Sequence, residues 1–572
     1  MMIDLRAKPY YLDDEGIKWV MDTIAGMTDE EKVGQLFVHM VASDDPEDIK
    51  RVVNTYHPGA LRYRSVSAER LWEQNNNFQQ ASRIPLLIAS NCEAGGNGGV
   101  GGGTYISCGA ATAASRDPEQ AYLAAKVGGT EAMSIGSNWN FAPVVDLLYN
   151  WRNTIVQLRS FNHDVDSTIQ YAKAFFKGER ECDVATCIKH FPGDGLEEND
   201  QHLMLGLNDM SCDEWMATFG KVYKELIDDG VLTVMAGHIA QPAWQRALSD
   251  GPVADKDILP ATQSKELITG LLKEKLGFNG LVVTDASHMI GLFASGPRSL
   301  VVPRAIAAGC DMFLFFNDME EDFGYMMDGY KSGLITEERM QDALMRILGV
   351  KAAIGLHKKQ AAGTLMPPKE GIRVVGCAEH HAIAAAAADK AVTLVKDTQN
   401  YLPLNPAKGN KLRIVYLQGD GHVVAGKLEK SDDTPIKNAI RKELEDAGFQ
   451  VTFADEPEVV AKGKGKMEEF KKECDAVLVI SNQVGFAQQN SMRVKWTLPT
   501  DQPWYASQVP TIFISLNLAN CLIDLTMSHC YINGYNASAE VIHAIVEKMT
   551  GKSAFKGVPD ENVWCERWDT RL

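Results

Sequence analysis

Residues 213–238 read "DEWMATFGKVYKELIDDGVLTVMAGH". The first part carries apolar residues at helical spacing and stops on Asp-Asp-Gly; the second, 231–238, is a short apolar run closing on a histidine. A helix feeding a short buried strand is half of a βαβ unit. The pattern recurs along the first 350 residues. Strand-like runs stand at "VGQLFVHM" (33–40), "GALRY" (59–63), "IPLLIAS" (84–90), "NFAPVVD" (140–146), "VATCIKH" (184–190), "VLTVMAGH" (231–238), "GLVVTDA" (280–286) and "MFLFFN" (312–317). Helical stretches such as "SKELITGLLKEKLGF" lie between most of them. Strands alternating with helices imply a parallel sheet, and eight such units predict a TIM-like (β/α)8 barrel over residues 1–356.

Residues 357–372, "HKKQAAGTLMPPKEGI", are basic, contain proline and lack periodicity, which predicts an interdomain linker. A helix, "HHAIAAAAADKAVTLVK", follows it, and βα alternation then resumes. Strands are expected at 412–418, 450–455, 476–481 and 510–516, with helices at "PIKNAIRKELEDAG" and "AEVIHAIVEKM". Residues 373–572 therefore read as an α/β sandwich. Its expected roles are packing on the barrel, covering the pocket, or forming a contact between copies in a homo-oligomer.

A length of 572 residues exceeds what one core supports. With 57 Lys+Arg against 75 Asp+Glu, the net charge of −18 argues against a nucleic-acid partner and against anionic membranes. The eleven cysteines form no CxxC pair or Cys-His cluster with zinc spacing. With no apolar segment near either a leader or a membrane span, a reduced, cytoplasmic setting is expected. No cofactor motif stands out. The glycine run "EAGGNGGVGGG" (93–103) lacks a GK[ST] ending, so a closely approached loop beside a pocket fits it better than a phosphate cradle.

In (β/α)8 barrels chemistry sits at the C-terminal ends of the strands. Here those ends carry Asn91 and Glu93, Asp146, Lys189 and His190, His238, and Asp285. Asp285 closes a Val-Val-Thr strand, placing it as a nucleophile or base, or as a cap of the next helix. Lys189 and His190 are consecutive, so their side chains start on opposite faces. Both reach the rim only through a bend or bulge; otherwise they are a surface lysine and a buried histidine. Asp200-Gln201-His202 follows on a polar loop. A carboxylate bonded to one imidazole nitrogen fixes the tautomer and leaves the other to exchange a proton near neutrality. An ordinary solvated loop is the alternative.

Several ordered blocks carry a family likeness. "KHFPGDGLEENDQH" (189–202) resembles the signature of family 3 glycoside hydrolases of the β-N-acetylglucosaminidase type. So do "NFAPVVD" with "LRSF", "VMAGHIAQP", "PATQSKELITGLLKEKLGFNGLVVTDA" and "AVTLVKDTQNYLPL". The resemblance implies a retaining, two-step hydrolysis of terminal β-linked amino sugars. It assigns the nucleophile to Asp285 and the acid/base to His202 partnered by Asp200. Sugar contacts fall to Lys189, His190 and Arg159. One departure concerns the glycone: the family's Asp-x-Glu-Gly-Gly is here "NCEAGG", so Asn91 or Glu93 meets distal hydroxyls. N-acetylglucosamine, N-acetylgalactosamine, a substituted sugar and a plain hexose all stay open. A neutral histidine base also admits phosphate as acceptor, hence a phosphorylase. Rivals outside this fold-and-chemistry class are a barrel metallohydrolase using His190, His202, His238 and Asp285, and a non-catalytic sugar-binding protein.

Overall fold

The computed structural model describes residues 3–572 apart from 420, 421, 425, 426, 430, 431, 486, 490 and 497–501. Two compact units emerge. The first comprises residues 1–105, 121–148 and 163–378; the second comprises 106–120, 149–162 and 379–572.

The first unit is a closed barrel of eight parallel strands in sequence order. They are β1 (Phe37–Met40), β2 (Ala60–Arg62), β3 (Leu87–Ser90), β4 (Trp139–Asn140), β5 (Ala185–Phe191), β6 (Thr233–Ala236), β7 (Leu281–Ala286) and β8 (Met312–Leu314). The ring closes between β1 and β8, with Phe37 beside Phe313 and Val38 beside Leu314. Strands covered on both faces need continuous apolar sequence, which is why β6, Thr-Val-Met-Ala, is buried at every position. The preceding helix, Phe219–Asp229, buries Phe219, Val222, Tyr223, Leu226 and Ile227 and ends at Gly230, whose φ of 91° closes it. Each such side chain contributes roughly 1.5–3 kcal/mol on burial, well above the tenths that separate helix propensities. An aspartate at Val222 would bury an unpaired charge there and undo the packing.

All eight expected strands are present with shifted ends, and at two of them the local sequence gives the reason. Val33–Gln35 belong to a helix, Asp29–Gln35, because Thr28 and Glu31 form a reciprocal capping box that starts it; the strand begins only at Phe37. In "NFAPVVD" only Asn140 is in β4, since Pro143 cannot donate to a ladder. Val144 then bridges to Lys189, and Val145 N donates to Lys189 O at 2.9 Å.

The N-terminal end of the barrel holds an ion network. Asp311, just before β8, accepts from Val282 N at 2.7 Å, from Lys273 Nζ at 3.0 Å and from Arg339. Asp342 pairs with Arg339 and Arg346, and Arg346 Nη1 also donates to Asn279 O and Gly280 O at 2.8 and 2.6 Å. Lys351, buried nearby in sequence on the same helix, Glu337–Ala353, donates to the neutral Gln35 Oε1 at 2.7 Å.

The stretch expected as a linker is partly helical, with Leu356–Ala361 and a 3-10 turn at Lys369–Val374, and it groups with the first unit. The second unit is built on a six-stranded sheet. Its strands are β9 (Thr393–Asp397), β10 (Lys411–Gln418), β11 (Gln450–Phe453), β12 (Ala476–Asn482), β13 (Thr511–Ser515) and β14 (Cys530–Asn533), ordered β9-β14-β13-β12-β10-β11. All pairs are parallel except β9 with β14. β9 occupies the end of the stretch expected to be helical; the helix stops at Ala391, and Thr-Leu-Val then favours extended backbone. Val415, Leu417, Val477, Val479, Phe513 and Tyr531 form the core against one face. The eleven cysteines are all free thiols. Among the described residues no helix is long and apolar enough to cross a membrane.

Candidate active site

Asp285 stands at the C-terminal end of β7, and its Oδ1 accepts from Ala286 N at 2.7 Å. Burial pushes its pKa up. The imidazoles of His190, His238 and His202 and the Ala286 amide outweigh that, so the carboxyl lies below its ordinary value. The turn beyond it is fixed from outside: Arg298 donates to Ser287 O at 3.0 Å and Ser287 Oγ at 2.9 Å, and is itself held by Asp322.

His238 follows β6 and is fully buried. Its Nε2 lies 3.1 Å from Ala286 O, which can only accept, so Nε2 carries the proton. Nδ1 then accepts from Thr262 Oγ1 at 3.0 Å, and burial pushes the ring's pKa down. A neutral ring bonded at both nitrogens offers no lone pair to a metal. His39, on β1, packs against the rings of Phe78 and Phe316, and burial lowers its pKa to about 4.

At the end of β5 the pairing with β6 shifts register between Ile188 and Phe191. That irregularity lets consecutive residues both meet groups from neighbouring strand ends. Lys189 Nζ pairs with Glu93 Oε1 at 2.6 Å. His190 Nδ1 lies 2.7 Å from Asp146 Oδ2, while Asp146 Oδ1 accepts from the backbone of His190 and Asp194 at 3.0 and 2.8 Å. With Asp146 fully buried and accepting on both oxygens, Nδ1 of His190 is the donor and Nε2 is the nitrogen left to face a ligand.

The loop after β5 repeats the device. His202 Nδ1 lies 2.7 Å from Asp200 Oδ1, which also accepts His202 N at 2.8 Å. Asp200 is completely buried, whereas the His202 side chain is 19% exposed, the combination a proton shuttle needs. The loop is stitched to its surroundings. Ile290 N and Gly291 N, beyond β7, donate to His202 O and Gln201 O at 3.1 Å each. Gln201 accepts from His238 N at 2.9 Å and donates to Asp194 at 3.2 Å. The exposed His288 ring lies 6.3 Å from His202 and stacks parallel to Phe315 at 6.5 Å.

Asn91 and Glu93 leave β3 on the glycine-rich loop. Gly98 sits so near Asn91 O that a Cβ would come within 1.8 Å, and a Cβ on Gly96 would meet the Glu131 carboxylate at the same distance. Glu131 holds the loop by accepting Thr104 N at 2.8 Å and Thr104 Oγ1 at 2.7 Å. The glycines thus serve close packing. The Asn91 amide is satisfied with its nitrogen donating to Ser90 O at 3.2 Å and its oxygen accepting from Arg62 Nη2 at 3.2 Å.

An ionised carboxylate ringed by imidazoles, beside an Asp-His pair on a barrel rim, suits glycosyl transfer. Residues 28–350 match the model of the glycosyl hydrolase family 3 N-terminal domain. The chain belongs to glycoside hydrolase family 3. It is 38% identical over the full length of both chains to a β-N-acetylglucosaminidase/β-glucosidase from Cellulomonas fimi. It is 27% identical to β-hexosaminidase A from Pseudoalteromonas piscicida, over 63% of this chain and 61% of that one. A solved structure described as β-glucoside phosphorylase BglX bound to 2FGlc shares 36% identity, with a TM-score of 0.90 over 97% of this chain and 98% of that one.

As a family 3 glycoside hydrolase, the protein keeps seven of its eight sequence-expected site residues within the first unit: Asp285, His202, Asp200, Lys189, His190, Asn91 and Glu93. Arg159 is half-buried on the 149–162 segment, which groups with the second unit. Three positioning groups escaped the sequence reading. Asp146 and His238 were visible as polar strand ends, without a sign of what they hold. Arg62 lies within "GALRY", where a cation inside an apolar run was the available signal.

Proposed function

We propose that this enzyme is an exo-acting retaining β-glycosidase that takes a terminal β-N-acetylglucosaminyl or β-glucosyl residue onto Asp285. The Asp285 carboxylate attacks the anomeric carbon as the bond to the leaving oxygen breaks, and protonated His202 donates its proton to that oxygen. Neutral His202 then takes a proton from water; the hydroxide equivalent bonds to the anomeric carbon, and the ester to Asp285 breaks. Asp200 keeps His202 in the tautomer whose Nε2 exchanges the proton. Lys189–Glu93 and His190–Asp146 hold hydroxyls and the 2-substituent, and Arg159 is a further candidate contact. The observation that carries this reading is the low-pKa carboxylate of Asp285 among His190, His238 and His202. The dual name of the Cellulomonas fimi relative supports the two glycones. The free thiols and lack of a metal-type cysteine pattern support a reduced, cytoplasmic setting.

Phosphate in place of water is the second reading. It is supported by the 36% identity to a β-glucoside phosphorylase, and by chemistry: a histidine base is uncharged when the acceptor arrives, so it does not repel an anion as a carboxylate would. One experiment serves both readings. p-Nitrophenyl β-GlcNAc, β-GalNAc and β-Glc are assayed with and without inorganic phosphate, identifying the sugar product. GlcNAc or Glc turnover with free sugar as product supports hydrolysis. Sugar 1-phosphate and a rate that rises with phosphate support phosphorolysis. Turnover of none of the three would defeat the glycosidase proposal and favour a binding protein.

A further inference from the structure

Arg62 is half-buried at the C-terminal end of β2. One terminal nitrogen donates to Tyr63 O, and the guanidinium lies 5.4 Å over the Tyr63 ring. The other terminal nitrogen meets the Asn91 amide oxygen at 3.2 Å. A guanidinium withdrawn from water calls for a counter-charge. The carboxylate whose field reaches it is Glu93, but Glu93 Oε1 is 2.6 Å from Lys189 Nζ. Lys189 and Arg62 thus both stand near the Glu93 carboxylate, and Asn91 supplies Arg62 with an acceptor without a charge.

The ring order fixes where that cation stands. Arg62's strand β2 is three strands from β7, and Asn91's β3 is four, in an eight-membered barrel, so both stand across the rim from Asp285. With its anomeric carbon at Asp285, a pyranose reaching across the rim would bring the far end of its ring, bearing the 4- and 6-hydroxyls, to β2 and β3. We infer that Arg62 is a specificity-determining residue that donates to these distal hydroxyls, and that Asn91 is the positioning residue that aims it. The inference rests on glycosyl transfer to Asp285 as proposed above. The bonds to Tyr63 and Asn91 use two of the five donors a guanidinium carries. An aspartate at 91 would grip the fork bidentately and hold it from the sugar; the amide oxygen takes a single bond and leaves donors over.

The test compares full-length wild type, Arg62→Met, Arg62→Lys and Asn91→Asp on p-nitrophenyl β-glucoside and its 4-deoxy and 6-deoxy analogues. Methionine keeps the bulk and removes the donors. In the wild type, deleting the hydroxyl that Arg62 holds lowers kcat/KM by about 10²-fold or more. In Arg62→Met, kcat/KM for the parent glucoside falls by a similar factor, and the parent-to-deoxy ratio collapses to within about threefold. In Asn91→Asp the ratio shrinks by about tenfold. An arginine that only supported the fold would lower all rates alike, so unchanged ratios for both analogues in Arg62→Met overturn the inference. Should Arg62→Met fail to fold, Arg62→Lys decides on the same ratio, since lysine keeps the charge but not the fork. Labelling of Asp285 by an activated 2-deoxy-2-fluoro-glucoside reports separately on the nucleophile. A labelled Asp285 with unchanged ratios defeats the Arg62 assignment alone.

Discussion

The two ends of the barrel bury charge in opposite ways. At the N-terminal end the acids are tied to several cations at once: Asp311 takes Lys273, Arg339 and Val282 N, and Asp342 takes Arg339 and Arg346. At the C-terminal end the acids divide their labour. Asp146 and Asp200 each accept from one histidine and from backbone amides, whereas among the described residues Asp285 accepts only its neighbour's amide within hydrogen-bond range and is otherwise held by the surrounding imidazoles. A closed network resists change; a carboxylate kept ionised mainly by fields is available to form a bond. The same polypeptide thus separates a stability end from a chemistry end, the division expected of this architecture.

That contrast is sharpest at Asp285. Asp285→Asn should cut kcat by at least about 10³-fold while the melting temperature falls only slightly, because the depressed pKa means that the fold favours the charged carboxyl over a neutral group. Steady-state turnover with a thermal melt checks both halves, and retained activity in the variant would end the nucleophile assignment. Next in size is the loop dyad. Asp200→Asn and His202→Gln should each lose about 10²–10⁴-fold in kcat/KM, which reports the first step, on poor leaving groups and far less on p-nitrophenolate, which needs no proton. Equal losses on both leaving groups would contradict an acid role.

The opposite end should answer in stability. Asp311→Ala leaves the buried Lys273 and the half-buried Arg339 with Asp342 as their shared carboxylate and Val282 N without its acceptor, at a cost of about 3 kcal/mol, with kcat/KM of the folded fraction nearly unchanged. Urea melts paired with active-site titration would expose the reverse pattern. The last effect concerns pH. Burial pushes the Lys351 amine down to about 7, so between there and its unfolded value near 10.4 the unfolded chain holds more protons. Stability should therefore rise with pH across that window and be lost as pH falls through about 7. Lys351→Met should flatten the rise, and a parallel slope in the variant would place its origin elsewhere.

Much of this division was legible in the sequence. Short apolar runs with polar ends gave eight strands in order, and Asp-x-His gave the dyad, because both depend on local spacing. β1 was placed too early because a capping box outweighed an apolar run, a contest settled by Thr28 and Glu31. β9 was hidden because an alanine-rich helix runs into it without a glycine or proline between. Arg62 was out of reach for another reason: its value lies in a meeting with Asn91, on the next strand, and such pairing has no signature along the chain. Arg159 shows the same limit, since the 149–162 segment leaves the first unit despite lying between its strands in sequence.

The stitches between the dyad loop and the segment beyond β7 have a consequence for anyone moving this chemistry to another scaffold. Ile290 and Gly291 clasp His202 and Gln201 by main-chain bonds, so the Asp200–His202 pair and the Asp285 strand end travel as one cassette encoded in two places, 192–207 and 285–291. Recombination that swaps either stretch alone separates halves that were cut to fit each other. Chimeras joined between β5 and β7 should therefore fold far more often than they turn over substrate, and exchanging both stretches together is the crossover that transplants the function.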